Sequence, residues 1–557
     1  MNPNSGVRIL LDANLLTRCR HRVHLDAEAA RGRLPAEPRR PVPPGVRQRQ
    51  EAAALHRKAV HEAMHALHHG SWVSIDMDQS ARSREEDTLR ACAAGVSWIW
   101  GGTLPLGPDG QRGQSELLMR QPDSERYVPI IVVNHKVTDP GQGAVTSPLD
   151  MFAPEVDPAR KVRPQLRDQL RLAHIYRLLQ NAGLAASDAI GGAIGYDADC
   201  IVVHDLLREI PSFGHSLLAE YDARVTDRIA VINGTSETAP TRIGECGLCE
   251  WWPQCSAELT RQHDVSLVVN GAQADSLRTA GVSTIDQLAR WAGEPPEEWP
   301  GGGFPEAQIF AQAWLHDVTL VRKVDRVAAT RADVEVDIDM ESYQDHGAYL
   351  WGTLLSEPGR PPVYRAFATW EALPTHDEGR NFAEFWDWLT KIRLSAARRG
   401  LTFAAYCYSK AAENRWLLDS AHRFRGMNDV PSTAEITHFI ESDEWIDMFE
   451  AVSNQFHCPQ GRGLKKIAPN AGFAWRDPEA GGEASMIWYR DAVGYEGEAV
   501  VGQRERILRY NEDDVWATRV LREWMTSGAA AAVPSVADLA EQMRLLPPAP
   551  GDSTQVT

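Results

Sequence analysis

The run Val334-Glu-Val-Asp-Ile-Asp-Met-Glu341 alternates apolar and acidic side chains, and no other feature constrains the chain as tightly. A period of two belongs to a β-strand, so Val334, Val336 and Ile338 share one face and Asp337, Asp339 and Glu341 the other. Like charges crowded on one face repel, and their burial is costly unless divalent cations neutralise them. The expectation is a strand whose acidic end, Asp339 and Glu341, holds metal, with Asp337 a further ligand or a solvated neighbour. Downstream, Tyr510 and Asp514 stand four apart in a helical run over Gln503–Trp524 and so share a helix face. Between these segments, Glu413 follows a strand-like Tyr-Cys-Tyr and opens a helix-like stretch.

Composition limits what such a chain can do. With 557 residues it is long enough for three or four domains, and its 43% apolar and 24% charged residues are those of a globular protein. Lys and Arg number 58 against 76 Asp and Glu, a net charge of −18, so non-specific coating of nucleic acid is not expected. Charge is uneven: residues 1–50 carry ten Arg and no Lys against four acids. No run of 18 apolar residues is present, and the N-terminal residues lack the basic, apolar, small-residue order of a secretory signal. The expected setting is cytoplasmic and reducing, where clustered cysteines bind metal rather than pair.

Punctuation and periodicity divide the chain. The proline-rich stretch from Pro35 to Gly45 reads as a loop, and Gln50–His69 as a helix. Strands are expected at Val96–Trp100, Glu116–Arg120 and Val128–Val133, then a helix at Arg167–Gln180 with Leu170, Ala173, Tyr176 and Leu179 on its apolar stripe. Residues 265–292 hold two short helical patterns, with Ser283 or Thr284 capping the second. The predicted domains are 1–262, a helical linker at 263–325, a strand-and-helix domain at 330–527 and a mobile tail at 528–557.

Cys246-Gly-Leu-Cys249-Glu-Trp-Trp-Pro-Gln-Cys255 spaces three thiols as C-x2-C-x5-C, and Cys19 is the best fourth ligand, ahead of Cys92. Four thiolates suit a [4Fe-4S] cluster or a structural zinc. A distant N-terminal Cys with this closing pattern resembles the iron–sulfur members of the RecB-like PD-(D/E)xK nucleases, and that resemblance favours the cluster, acting as a staple between the domain's ends. It implies a restriction-endonuclease-like fold and a first active site. His61 would be its helical ligand and Glu116 its strand acid, both on Mg²⁺ or Mn²⁺, with Lys136 orienting water and Gln169 and Tyr176 on the next helix. The acid expected two before the lysine is Asn134, which leaves open a non-catalytic binding role.

The order Asp339-x-Glu341, Glu413, then Tyr510-x-x-x-Asp514 resembles the DEDD exonucleases of the RNase H-like superfamily, and Gly463-Leu-Lys465 resembles a Ser-Leu-Lys segment of that group. The resemblance implies two cations held by Asp339, Glu341, Glu413 and Asp514, with Tyr510 positioning the attacking water. The whole reads as an α/β multidomain chain in three parts: a PD-(D/E)xK domain with a four-cysteine site, a helix-hairpin-helix-like linker and an RNase H-like α/β domain. The implied activity is metal-dependent hydrolysis of nucleic acid, DNA in preference to RNA, in repair or processing, with a separate helicase as partner. The alternative is a decayed binding scaffold. The absence of G-x-x-x-x-G-K-[ST] means the chain carries no P-loop motor. Trp251, Trp252, Trp386 and Trp388 are candidate base-stacking residues, though core packing is the commoner use of Trp. Arg18, Arg20, Arg22, Arg39, Arg40, Arg47 and Arg49 form either a phosphate-facing patch or a solvated arm.

Overall fold

A computed structural model describes residues 10–34, 40–41, 44–122, 124–301, 303–479, 481–495 and 497–545. Two compact units divide it, Met1–Glu258 and Leu259–Thr557. Most of the proline-rich loop and Arg39 lie outside the described residues. So does the end of the expected tail, from residue 546 onward.

The helices of the first unit include α1 (Arg20–Ala30), α2 (Pro44–His68), α3 (Ala81–Ala93), α4 (Leu166–Asn181) and α5 (Leu217–Asn233). The strands of its main sheet are β1 (Trp72–Ser74), β2 (Trp98–Trp100), β3 (Leu117–Arg120), β4 (Tyr127–Val132), β5 (Ala144–Ser147), β6 (Glu155–Asp157), β7 (Ile190–Ile194) and β8 (Ile201–Asp205). Among the described residues they form one eight-stranded sheet in the order β1-β2-β3-β4-β7-β8-β5-β6. The pairs β2/β3 and β3/β4 are antiparallel, and β4/β7 is parallel. Alternation sorts the side chains. Leu117, Val128 and Ile130 bury Val60 and Met64 of α2 on one face, while Leu118 and Ile131 pack on Leu170, Ala173 and Tyr176 of α4 on the other. Both faces are therefore covered, which is why these strands read as unbroken apolar runs.

The second unit opens with the helical segments Gly271–Thr279, Ile285–Ala289 and Phe304–Leu315, packed round Leu277, Ile285, Leu288 and Ala311. Thr284 caps the middle one, accepting from the Gln287 N–H at 3.2 Å. A five-stranded sheet follows, built from β9 (Val334–Tyr343), β10 (Gly347–Ser356), β11 (Val363–Ala368), β12 (Phe403–Cys407) and β13 (Trp445–Asp447). Its order is β11-β10-β9-β12-β13, antiparallel through β9 and parallel beyond it. Val334, Val336, Ile338 and Met340 face a core with Phe382, Phe385 and Leu389 of α6 (Asp377–Arg398) and Trp416 and Leu417 of α7 (Lys410–Arg423). The acidic face of β9 lies instead under α8 (Gly482–Val493) and α9 (Val501–Ser527).

The stretch expected as a mobile tail is partly helical. Ala529–Ala532 and Val536–Leu545 are helices, and Leu539 is buried with Ala313 and Val321. Among the described residues no helix is long and apolar enough to cross a membrane.

Candidate metal centre

Four acids alternate along the polar face of β9, and the fold treats them in two ways. Glu335 and Asp337 are neutralised by arginine. Arg522 of α9, fully buried, forks onto Asp337 and donates to Glu335 at 3.1 Å, while Arg331 donates to Glu335 at 2.6 Å. Asp337 is thus neither a ligand nor a solvated neighbour, because its charge is consumed inside the core. The next two acids meet neutral donors. Asn511 Nδ2 donates to Asp339 Oδ2 at 2.7 Å, and Ser485 Oγ donates to Glu341 Oε2 at 2.9 Å. Asp514, one helix turn on from Tyr510, takes Trp475 Nε1 on Oδ1 at 2.6 Å. Neutral donors orient a carboxylate without cancelling its charge.

Asp339, Glu341 and Asp514 each present an oxygen within 4.8 Å of the others. Burial, then the charges of Asp514, Glu341 and Glu413, hold Asp339 well above the usual carboxylate range. Burial and Asp514 push Glu341 up to about 8, and burial raises Asp514 as well. Lys465 opposes these effects on all three acids. Its ammonium donates to the Tyr510 hydroxyl at 3.1 Å and lies 4.3 Å from that ring's centre. Three crowded like charges, two of them buried, with one lysine for compensation are the condition that a hard cation relieves.

Glu413, in the first turn of α7, stands outside that group of three. Burial, with Asp447 and Glu341 adding to it, pushes its carboxyl up to about 8, and its buried Oε2 has no hydrogen-bond partner. The turn that launches α7 is tied by Asp447, which accepts from the Ser409 and Lys410 N–H groups at 3.0 Å each; Ser409 there takes φ of +80°. The donor set is all oxygen, negatively charged and incompletely satisfied, so these residues fit a divalent cation. Asn511, Ser485, Trp475 and Asp447 were not apparent in the sequence, since each acts across a contact rather than within a motif.

The first expected site is not assembled. His61 lies on the α2 face of the first unit's sheet, where it packs on Trp100 and Trp72 and its Nε2 bonds Ser74 Oγ at 3.0 Å. Glu116 lies on the opposite face, held in an ion pair by Arg171 of α4. The two cannot share an ion. Lys136 is exposed in the loop after β4 rather than on a strand, and the neighbouring His135 bonds Asp168 at 2.8 Å. Tyr176 is buried and donates to the Ala186 carbonyl at 2.9 Å. Gln169, on α4, is partly buried, but with the others dispersed it joins no site.

Cys19, Cys246, Cys249 and Cys255 do meet, lining one pocket with Arg22, Trp251 and Trp252. Side chains of α1 bring Cys19 there. Arg22 pairs with Glu245 at 2.7 Å, the Cys19 N–H donates to Glu245 at 2.7 Å, and Trp251 Nε1 donates to Asp26 at 2.8 Å. Burial raises the thiols of Cys246 and Cys249, and it pushes Cys255 up to about 12 with the other three cysteines adding to the effect. Cys92 is buried elsewhere, in the core under β2. The arginines expected as a phosphate patch are largely occupied. Arg18 faces Asp26, Arg20 pairs with Asp227, and Arg40 donates to the Gly247 carbonyl. Trp251 is buried, and Trp386 and Trp388 pack on Phe439 and Phe367.

The RNase_H_2 model of the RNase_H superfamily matches residues 402–526. That span contains Glu413, Lys465, Tyr510 and Asp514, and it begins after the strand that bears Asp339 and Glu341. The second unit therefore carries an RNase H-like domain, to whose sheet β9 is joined by parallel pairing with β12. No curated protein and no solved structure matches the chain.

Proposed function

We propose that the second unit is a metal-dependent nuclease acting on DNA, with Asp339, Glu341, Glu413 and Asp514 holding Mg²⁺ or Mn²⁺. The observation that carries this is the convergence of Asp339, Glu341 and Asp514 under neutral donors, on a strand whose other acids are neutralised by arginine. The RNase H-like domain is consistent with hydrolysis of nucleic acid. Bound cations would supply charge neutralisation at the scissile phosphate and a more acidic attacking water. The chain's own groups set the rest. Tyr510 is kept protonated by burial and the acids around it, so it acts as a hydrogen-bond donor that orients water and not as a base. Lys465 fixes the phenol oxygen and presents a positive charge toward an incoming phosphate. An end-labelled single-stranded DNA incubated with Mn²⁺, Mg²⁺ or chelator tests the proposal: shortening with metal and none with chelator is expected. An intact strand under all conditions overturns it.

For the first unit we propose a binding role without its own catalysis. A helix, three antiparallel strands, a helix and a strand parallel to the third supports retaining the restriction-endonuclease-like fold, while the separation of His61 from Glu116 removes its catalytic set. We further propose that the cysteine pocket holds a [4Fe-4S] cluster. The convergence of Cys19, Cys246, Cys249 and Cys255 on one pocket supports a shared group, and a structural zinc on the same four thiolates is the alternative. Because a bound cluster stabilises only the folded state, Cys249→Ser should lower the first unit's melting temperature by about 5 °C or more. An unchanged melting curve contradicts the staple, and a colourless protein containing stoichiometric zinc rejects the cluster.

A further inference from the structure

Asp339 leaves β9 opposite Gly352 of β10, and the space above that glycine is filled by Asn511 of α9. A Cβ at position 352 would lie 1.5 Å from Asn511 Oδ1, so only glycine lets the amide lie across the strand. Asn511 is fully buried and all its amide contacts are made. Nδ2 donates to Asp339 Oδ2 at 2.7 Å and to the Asp339 carbonyl at 3.2 Å, and Oδ1 accepts from the Tyr364 hydroxyl of β11 at 2.8 Å. The two ends of an amide are not equivalent. The Asp339 carbonyl and carboxylate oxygens only accept, so the nitrogen faces them and the amide oxygen is left to take the Tyr364 hydroxyl proton.

We infer that Asn511 is a positioning residue for the metal-binding carboxylate of Asp339: an amide clamp, held at its oxygen by Tyr364 and given room by Gly352, that fixes one oxygen and leaves the carboxylate its full charge. An arginine in the same place would bind Asp339 more strongly but cancel that charge, as Arg522 does for Asp337 two residues earlier. This rests on the nuclease reading of the site, and its own test is metal binding.

Mn²⁺ affinity of the full chain is measured by calorimetry at one pH, with the melting temperature as a fold control. Asn511→Leu keeps the volume and removes the donor, and should weaken Mn²⁺ binding about 10–100-fold, the usual effect of losing an outer hydrogen bond to a ligand. Gly352→Ala, which leaves the amide's chemistry intact but displaces it, should match that loss. Tyr364→Phe, which removes one hydroxyl and no packing volume, should weaken binding roughly 3–10-fold. In the cleavage assay kcat should fall while KM for the oligonucleotide holds. A folded Asn511→Leu or Gly352→Ala chain that binds Mn²⁺ like the wild type overturns the clamp and leaves the nuclease proposal standing. If neither folds, wild-type binding by Tyr364→Phe overturns it. A wild-type chain that binds Mn²⁺ and cuts no phosphodiester bond fails the nuclease proposal and leaves the clamp intact.

Discussion

Asp339→Asn is expected to abolish metal-dependent cleavage while leaving the fold in place. Asp339 is the partly exposed member of the converging trio, on the strand that pairs antiparallel with β10 and parallel with β12. Replacing one carboxylate oxygen by NH₂ removes a negative charge and a ligand from a site whose affinity for a hard cation depends on both. Lewis-acid stabilisation of a phosphoryl transition state is worth several kcal/mol, so losing it should lower the rate by about 10³-fold or more. Stability should not fall and should rise slightly without metal, because Asp339 sits among Asp514, Glu341 and Glu413, and removing one like charge relieves repulsion. A variant that is inactive yet at least as stable as wild type separates a metal ligand from a packing residue. Wild-type rates in the variant would exclude Asp339 from the chemistry.

Arg522→Ala should give the largest loss of stability. Arg522, Asp337 and Glu335 are all buried, and the guanidinium also lies 3.8 Å over the Tyr406 ring. Removing one partner of such a set leaves uncompensated buried charge and costs about 3–5 kcal/mol. At about 2–4 °C per kcal/mol for a unit of this size, the second unit's melting temperature should drop on the order of 10 °C. Arg522→Leu combined with Glu335→Leu and Asp337→Leu should recover most of that loss, since a packed apolar replacement of a buried ion set is often neutral. No recovery in the triple variant would mean that the arginine packs β9 against α9 in a way charge does not explain.

The contrast between these two positions shows where the sequence was legible. Strand alternation is local, so the shared face of Asp337, Asp339 and Glu341 could be read directly, as could the i,i+4 pairing of Tyr510 and Asp514. What distinguishes Asp337 from Asp339 is their partners, Arg522 and Asn511, which lie 185 and 172 residues away in sequence. No local pattern carries that information. Glu413 shows the same limit: its place at a helix start was readable, but its distance from the trio depends on how α7 is set by Asp447. His61 and Glu116 are not brought together, for a related reason. Each fits a motif on its own element, yet parity along β3 and the packing of α2 and α4 on opposite faces put the sheet between them. The helix Val536–Leu545 reads as tail because its flanks are rich in Ala and Pro, whereas the contacts that order it are distant in sequence: Leu539 with Ala313 and Val321, Met543 on the preceding helical segments, and Asp538 facing Arg322.

The central claim is that the buried acids of the second unit exist to hold cations, and protonation gives a direct test. Glu341 and Glu413 titrate near 8 in the folded chain, far above the roughly 4.3 of an unfolded glutamate. Between those values the metal-free folded state holds more protons than the unfolded one, so its stability falls as pH rises through the window. A cation favours the ionised form and reverses this, so its stabilising effect should grow with pH. The measurement is the melting-temperature shift caused by saturating Mn²⁺ at about pH 5 and at about pH 8 in wild type and Asp339→Asn. A shift near zero at the lower pH, large at the higher pH and mostly lost in the variant is the predicted result. Equal shifts at both pH values, or a full shift in Asp339→Asn, would contradict the account.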